Sequence, residues 1–263
     1  MRRLFPVPEG PADAADREWG LLELADAYAY PEHPELPAGT AWLRANMVSS
    51  LDGAAHHKGR SQPLSGPADM RIFGVLRALA DAIVVGAETV RVEGYRPARA
   101  RKAFAGLRAA AGRPPAPAIV VVSLSMQLDF TLPLFTEPLV PTLVVTGAGA
   151  PAEGLAAARA AGVEVVVAGE GGGGDPLRLK AELAARGHTR LLTEGGPRLL
   201  GQFAVAGALD EMCLTLSPRI AGGAASRVVS GAELPVPEEL ELAGLLEEEG
   251  FLFGRYRRPP GRS

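Results

Sequence analysis

The chain has 263 residues, of which 27 are basic and 30 acidic, and its formal net charge is −3. This length allows one large α/β domain or two small ones, each with a sizeable buried core. The slightly acidic balance excludes general nucleic-acid binding, which requires a basic surface. No apolar run reaches the roughly 18 residues of a membrane span, and the first residues lack a secretion signal. We therefore expect a cytoplasmic protein that does not enter a membrane.

Cys213 is the only cysteine of the chain. A single cysteine excludes an internal disulfide framework and any multi-cysteine zinc site. Its position within the apolar run 211–216 (EMCLTL) predicts a buried, unreactive thiol on a strand. Adjacent His56 and His57 are interpreted as a solvated loop pair, and the motifs of zinc proteases and serine hydrolases are missing from the sequence. No metal is predicted.

Three segments follow one another along the chain. Residues 1–40 are rich in proline, acids and alanine, and they predict an N-terminal extension packed on the domain. Residues 41–257 form the domain itself, and residues 258–263 form a tail. The domain begins with a predicted strand over residues 42–48. After a polar loop, Ser65 is placed to cap a helix that carries a proline and an aspartate in its first turn.

Strand and helix patterns then alternate to the end of the domain. Apolar, β-branched runs predict strands at residues 83–85, 118–122, 142–145, 163–167, 190–193, 210–216 and 251–256. Amphipathic stretches predict helices near residues 152–161, 176–186 and 197–206. In the second of these, Asp175 is the expected cap, Pro176 the first helical residue and Gly187 the residue past the end. This alternation predicts an α/β fold with one mostly parallel central sheet flanked by helices.

Three further predictions concern the end of the chain. The last strand, over residues 251–256, is expected to close the sheet. The acidic segment 238–249 is interpreted as a solvated helix face and loop, since acids recur along it. The apolar strand over residues 211–216 is a candidate dimer contact.

Two glycine-rich segments match the dinucleotide-binding pattern G-x-G-x-x-G, namely residues 169–174 (GEGGGG) and, in relaxed form, residues 147–152 (GAGAPA). Two matches among 32 glycines show how unspecific the pattern is, so a surface connection is favoured for the first. A better phosphate candidate is residues 194–200 (EGGPRLL), where a strand runs into two glycines and a helix. The alternative there is an ordinary strand-to-helix junction. Glu194 favours a site, because an acid at the carboxyl end of a strand has no packing role.

Asp52 lies in a similar setting, within residues 49–53 (SSLDG) after the first predicted strand. Asp-Gly is by itself a strong turn signal, so a structural turn is the alternative. Asp52 and Glu194 are each placed at the carboxyl end of a strand, where α/β sheets leave a crevice for a ligand. Together they predict a ligand pocket.

Ordered sequence blocks give this pocket a family context. Residues 46–53 (NMVSSLDG), 61–62 (SQ), 76–90 (LRALADAIVVGAETV), 193–197 (TEGGP) and 209–211 (LDE) resemble the pyrimidine reductases of riboflavin biosynthesis. These form the C-terminal half of bifunctional deaminase–reductases, and the match covers residues 41–257. The resemblance implies a dihydrofolate-reductase-like fold, NADPH as cofactor, a homodimer and a small pyrimidine or pteridine substrate. The implied reaction is hydride transfer to C1′ of a ribosyl group, which becomes a ribityl chain.

The resemblance also assigns roles to residues. Ser61, Arg77 and Glu194 would hold the substrate, with Glu194 accepting hydrogen bonds from the pyrimidine N–H edge. Asp52 and Glu194 form the implied catalytic pair, with Asp52 delivering a proton or ordering water. The implied cofactor contacts are Ser49, Thr89, Glu93, Ser123, Thr146, Gly195, Gly196, Pro197, Arg198, Leu199, Leu200 and Gly201.

The chain departs from the family pattern in two places. Pro63 replaces the usual tryptophan, and residues 93–95 read Glu-Gly-Tyr where the family has Asp-Asn-Pro or Asp-Asp-Pro. The basic segment 94–113 that follows is interpreted as an exposed loop or as a clamp for a phosphate or polyglutamate-like tail. Two other functions remain open: a pteridine or folate reductase of the same fold, and a nucleotide-binding protein without turnover.

Overall fold

The computed structural model describes residues 1–8, 10, 15–31 and 39–259. The other residues of the predicted N-terminal extension and tail lie outside this description. The described residues divide into two compact units. The first draws on Met1–Ala29, Leu43–Leu76 and Pro197–Ser263, and the second draws on Tyr30–Trp42 and Arg77–Gly196.

The elements alternate along the chain in the manner of an α/β protein. The strands are β1 (Arg2–Phe5), β2 (Trp42–Ser49), β3 (Ala82–Gly86), β4 (Ala118–Val122), β5 (Leu143–Thr146), β6 (Glu164–Val167), β7 (Arg190–Thr193), β8 (Glu211–Leu216), β9 (Glu241–Glu248) and β10 (Phe251–Arg257). The helices are α1 (Leu21–Ala27), α2 (Pro67–Leu79), α3 (Ala87–Glu93), α4 (Ala105–Ala110), α5 (Pro133–Thr136), α6 (Ala152–Ala160), α7 (Pro176–Ala185) and α8 (Pro197–Val205), with short 3-10 helices at Gln62–Leu64 and Lys102–Phe104.

The strands of the second unit are parallel and lie in the order β7-β3-β4-β5-β6. Strands β3 and β4 read AIVVG and AIVVV, and nearly every residue in them is buried. Such continuous apolar runs are typical of parallel strands covered on both faces. Because the strands are parallel, the residues that follow β7, β3, β4 and β5 lie along one edge of the unit.

The first unit orders its strands β1-β9-β10-β8-β2, with β8 and β2 parallel and the other pairs antiparallel. Here two predictions were wrong. The acidic segment 238–249 contains strand β9, whose glutamates flank the run LAGLL. Strand β10 does not close the sheet, because β8 and β9 pair with it on either side. Strand β8 is likewise paired on both edges, so it offers a second copy no free edge.

Most predicted elements agree with the structure, and the predicted α/β class with mostly parallel pairing is confirmed. Helix α7 illustrates this, since the Asp175 carboxylate accepts a hydrogen bond from the Arg178 backbone N–H at 2.8 Å. Pro176 opens this helix, and Gly187 past its end has a φ of 84°. Helix α2 begins at Pro67 rather than Ser65, and the Ser65 hydroxyl donates to the Asp69 carboxylate.

The basic segment 94–113 divides into buried and exposed residues. Arg108 is buried and donates to the carbonyl oxygens of Ala78 and Ala80 at 2.8 and 2.7 Å, and Arg113 donates to that of Leu79 at 2.9 Å. These two side chains satisfy carbonyls left unpaired at the end of helix α2. The prediction of an exposed loop or a phosphate clamp was therefore wrong for this pair. The exposed basic residues are Arg96, Arg99, Arg101 and Lys102.

A buried ion-pair network, here called the Glu211 network, lies in the first unit. Glu211 begins strand β8, and its carboxylate lies 2.8, 3.5 and 3.2 Å from Arg44, Arg255 and Arg257. Glu211 and Arg44 have no exposed side-chain surface. The predicted buried thiol is confirmed, since the Cys213 Sγ lies 3.7 Å from Glu211 Oε1, and burial raises the pKa of this thiol to about 12.

Candidate active site

The most concentrated polar cluster of the second unit surrounds Glu194, directly after strand β7. Arg77 binds its carboxylate through two hydrogen bonds, Nε to Oε1 at 2.7 Å and Nη2 to Oε2 at 2.6 Å. The Tyr95 hydroxyl donates to the same Oε2. The Glu194 side chain is 4 % exposed and that of Arg77 21 %. A two-point arginine–carboxylate pair fixes both the charge and the plane of the carboxylate.

The ends of strands β7 and β3 hold this cluster in place. The Glu194 backbone N–H donates to Val84 O at 3.3 Å, and the Gly86 N–H donates to Gly195 O at 2.9 Å. The peptide bond between Gly195 and Gly196 is cis. A Cβ atom on Gly196 would lie 2.7 Å from the Thr89 hydroxyl oxygen, so glycine is required for this close approach.

Three of the predicted cofactor contacts lie beside this cluster. Gly195, Gly196 and Thr89 form a cradle of backbone without side chains beside a hydroxyl, which is the kind of surface that dinucleotides approach closely. The bare backbone and the hydroxyl are chemically suited to a nicotinamide dinucleotide. Exposed Glu93 lies at the end of helix α3.

The predicted cofactor residues of helix α8 differ in exposure. Arg198 is exposed, whereas Leu199 and Leu200 are buried in the first unit. A Cβ atom on Gly201 would lie 2.0 Å from the carbonyl oxygen of Ser230, so this glycine serves packing. The cofactor contact of the two leucines stays a prediction. The helix begins at Pro197, and the first backbone N–H groups of a helix have no partner within it.

Two other predicted cofactor residues have hydroxyls that hold loops. Ser123 Oγ accepts a hydrogen bond from the Met126 N–H at 3.1 Å, and Thr146 Oγ1 donates to Gly172 O at 3.1 Å. Both residues are buried, with 3 % and 0 % exposed surface. Their direct contact with a cofactor, as predicted from the resemblance, does not fit this burial.

The glycine-rich segments 147–149 and 169–174 pack against each other. Backbone N–H groups of Gly147, Ala148 and Gly149 donate to carbonyls of Gly172, Gly169 and Gly171 at 2.8 to 3.2 Å. A Cβ atom on Gly147 would lie 1.9 Å from a carbonyl oxygen of the other segment. The glycines therefore allow two loops to meet, and the donors that a phosphate would need are used within the protein.

Asp52 stands in the first unit on an exposed turn after strand β2. Its carboxylate accepts hydrogen bonds from the Ala221 and Gly222 N–H groups at 3.0 and 2.7 Å and from the Ser50 hydroxyl. These bonds, that from Ala221 first, lower the pKa of Asp52 to about 2. An acid that stays ionised at neutral pH is a poor proton donor. The geometry therefore favours water ordering and loop anchoring over proton delivery.

The other predicted residues of the first unit lie close to this turn in sequence. Ser49 is 7 % exposed and donates to Ser50 O at 3.0 Å, so its hydroxyl is largely occupied. Ser61 is half-buried and precedes the first 3-10 helix. His57 pairs with Arg60 in the intervening loop.

Within residues 1–8, 10, 15–31 and 39–259, no group of three or more His, Cys, Asp or Glu side chains is arranged to hold a metal ion. Each helix in those same ranges is too short or too polar to span a bilayer.

Sequence reasoning missed two features of the site. Tyr95 carried no predicted role, although a hydroxyl-bearing ring in place of the proline of the family pattern was a visible signal. The loop that binds Asp52 was missed as well, and the glycine pair at residues 222–223 was its only signal.

The chain is an α/β protein whose candidate ligand site, the cluster around Glu194, directly follows the carboxyl end of a parallel strand. Residues 41–247 match the RibD C-terminal domain family. The chain is 31 % identical over 196 residues to a 2,5-diamino-6-ribosylamino-4(3H)-pyrimidinone 5′-phosphate reductase of Archaeoglobus fulgidus, which covers 73 % of this chain and 87 % of the relative. A pyrimidine reductase-like protein of Corynebacterium diphtheriae has 30 % identity and a TM-score of 0.74, over 86 % of this chain and 96 % of that protein.

A third comparison concerns the fold alone. RibD of Acinetobacter baumannii has 19 % identity and a TM-score of 0.64, over 84 % of this chain and 58 % of that protein. The chain belongs to the RibD C-terminal domain family, and the predicted family is confirmed. It is an oxidoreductase.

Proposed function

We propose that the protein is an NADPH-dependent reductase of a ribosylaminopyrimidine 5′-phosphate in riboflavin biosynthesis. The observation that carries this proposal is the Arg77–Glu194 pair at the carboxyl end of strand β7, in a chain whose relatives reduce such a pyrimidine. A pteridine or folate reductase would also need a carboxylate for a pyrimidine edge, and the assay below separates the two.

Glu194 is the proposed substrate contact. Its carboxylate accepts an N–H of the pyrimidine, and in a nearly buried setting that bond is stronger than in water. Arg77 acts through Glu194 as a positioning residue, because its two-point contact fixes the plane of that carboxylate. This differs from the role implied by the resemblance, in which Arg77 itself held the substrate.

The cofactor would lie against Thr89, Gly195 and Gly196 of the second unit, where bare backbone allows a close approach. When bound, NADPH supplies the hydride that turns the ribosyl group into a ribityl chain. The protein aligns the reacting carbon and excludes water from the approach.

The ionised carboxylate of Asp52 holds the loop over residues 219–222 in place. The proton that the released ribose oxygen needs comes from solvent water. The homodimer implied by the resemblance and the cytoplasmic location expected from the sequence remain predictions.

The test is an assay of NADPH oxidation, followed by the loss of reduced-nicotinamide absorbance. Purified protein is mixed with the ribosylaminopyrimidine phosphate or with dihydrofolate. We expect oxidation with the first and none above background with the second. Oxidation with dihydrofolate alone would replace the proposal by the folate reductase, and cofactor binding with turnover of neither would favour a nucleotide-binding protein.

A further inference from the structure

A cavity of about 150 Å³ lies within the first unit, lined by the end of helix α1 and by strands β1, β9 and β10. None of its lining residues is a predicted or candidate active-site residue. A cavity of this volume accommodates a benzene ring. Phe5 and Pro6 belong to the lining and are exposed, so the described residues leave the cavity open to the protein surface.

A glycine on strand β9 makes room for the cavity. Gly244 lies directly opposite Arg255 of strand β10, and Leu246 lies opposite Phe253. Opposite residues of an antiparallel pair share one face of the sheet, so the missing side chain of Gly244 leaves space beside Arg255. A Cβ atom on Gly244 would lie 3.8 Å from Arg255 Cβ and 4.0 Å from Phe5 O, which are ordinary contacts. The space is therefore open to a side chain or to a ligand.

Two arginines in the lining carry N–H groups that the protein does not use. The Arg3 guanidinium lies 5.1 Å from the ring centre of Trp19, and within the described residues it forms no hydrogen bond or ion pair. Arg255 Nη1 donates to Ala27 O, and its Nε lies 3.5 Å from Glu211 Oε1. No described residue accepts a hydrogen bond from Arg255 Nη2. Unused guanidinium donors favour an anionic ligand.

Tyr28 adds a neutral donor to the lining. It follows the last residue of helix α1, is 3 % exposed, and its hydroxyl has no hydrogen-bond partner among the described residues. Burial raises the pKa of Tyr28 well above its ordinary value, so the hydroxyl keeps its proton. A buried polar group without a partner costs free energy, which an acceptor atom of a ligand would recover.

We propose that this cavity, here called the Arg255 pocket, binds a small organic carboxylate. The carboxylate accepts hydrogen bonds from Arg3, Arg255 and Tyr28. The apolar body of the ligand packs on Leu246 and Phe253, which are 5 % and 2 % exposed. Inorganic phosphate would use the donors without the apolar wall, and a neutral ring would use the wall without the charges. A carboxylate joined to a ring or a short apolar chain uses both.

The test is a titration of the full-length protein with benzoate, without cofactor or pyrimidine, followed by NMR of the backbone amides. We expect saturable shifts at Gly244 and Arg255, and weaker binding of both benzamide and inorganic phosphate. Gly244→Val places a branched side chain in the cavity and should abolish benzoate binding. Arg3→Met removes one guanidinium but keeps an unbranched stem, and it should raise the Kd for benzoate roughly tenfold.

Arg2→Met is the matched control for the loss of a positive charge. Arg2 precedes Arg3 on strand β1, points to the other face of the sheet and pairs with Glu247 at 2.6 Å. The Kd for benzoate should therefore stay that of the wild type.

Three results would overturn the inference: no saturable shift in the wild type, equal affinities for benzoate and benzamide, or an unchanged affinity in Gly244→Val. Should Gly244→Val not fold, Arg3→Met decides, and an unchanged Kd there also overturns the proposal. Because no NADPH or pyrimidine is present, each of these results leaves the proposed reductase function unaffected.

Discussion

Two carboxylates of this protein are paired with arginine, yet they occupy opposite ends of their strands. Glu211 is the first residue of β8, and Glu194 directly follows the last residue of β7. Glu211 is fully buried among three arginines, whereas Glu194 has one partly exposed arginine and a tyrosine. The same residue types therefore form a fully buried network at the amino end of one strand and a partly exposed cluster at the carboxyl end of another.

The pKa of Glu211 shows how strongly this network depends on its carboxylate. Burial by itself would raise the pKa of Glu211, but the charges of Arg44 and Arg255 outweigh burial and hold that pKa below its usual range. Burial correspondingly lowers the pKa of Arg255. The Glu211 network thus depends on its one anion, because without it the surrounding cations lie desolvated and uncompensated. Removing a charge from each carboxylate should therefore have different effects.

The largest expected effect is on stability, in Glu211→Gln. Loss of the buried anion leaves Arg44, which is fully buried, without its counter-charge. We expect the free energy of unfolding to fall by about 3–5 kcal/mol, as measured by urea denaturation. Reaction of Cys213 with a thiol reagent should accelerate in parallel, since its sulfur lies beside the network.

Glu182→Gln is the matched control. It removes the same charge from an exposed pair with Arg186 at the end of helix α7. Surface pairs contribute little, so a loss below about 1 kcal/mol is expected. Equal losses in the two variants would show that burial of the Glu211 network contributes nothing particular to stability.

The second effect is on catalysis, in Glu194→Gln. The amide keeps the shape of the side chain but loses the charge that accepts the substrate N–H. We expect kcat/KM to fall on the order of 10- to 100-fold, with a smaller loss of stability than in Glu211→Gln, because Arg77 keeps some exposure to water. Activity and NADPH affinity are measured on the same preparation.

Cofactor affinity provides the decisive control for Glu194→Gln. The cofactor cradle consists of Thr89 and backbone of Gly195 and Gly196, so the dissociation constant of NADPH should stay close to that of the wild type. A collapse of NADPH binding would mean that Glu194 holds the cofactor, and the contrast with Glu211 would then need a different explanation.

Much of the second unit was predictable because its strands are buried on both faces. The runs in β3 and β4 admit one interpretation, and their predicted bounds agree with the structure to within a residue. Strand β9 was not predictable in the same way. Its glutamates resemble a solvated helix face, and its strand conformation depends on pairing with β10 and β1, which no local pattern reveals.

The candidate site was predictable in its members but not in its pairings. The family blocks indicated Arg77 and Glu194. These two residues lie 117 positions apart in the sequence, and only the fold brings the Arg77 guanidinium to the Glu194 carboxylate. Tyr95 was hidden because the family pattern has a different residue there. The role of Gly147 was also hidden, because it depends on a second loop that packs against it.

The smallest effect concerns Asp52, which extends the comparison to an exposed carboxylate held by backbone N–H groups and a hydroxyl. Its pKa falls from 3.8 to about 2 in the folded protein. Because the pKa of Asp52 is lower in the folded than in the unfolded protein, its ionised form stabilises the folded protein at pH values above the unfolded-state pKa. This contribution disappears as the pH falls through the folded-state pKa. Asp52→Asn should therefore be less stable than the wild type above pH 3.8, with the difference vanishing towards pH 2.

Urea denaturation of both proteins across that range measures the difference in the free energy of unfolding. A difference that persists unchanged down to pH 2 would mean that the asparagine disturbs the turn for a reason other than charge. A difference that vanishes already near neutral pH would contradict the lowered pKa. In that case Asp52 would be protonated within reach of neutral pH, and proton delivery to the substrate would again be the better interpretation of its role.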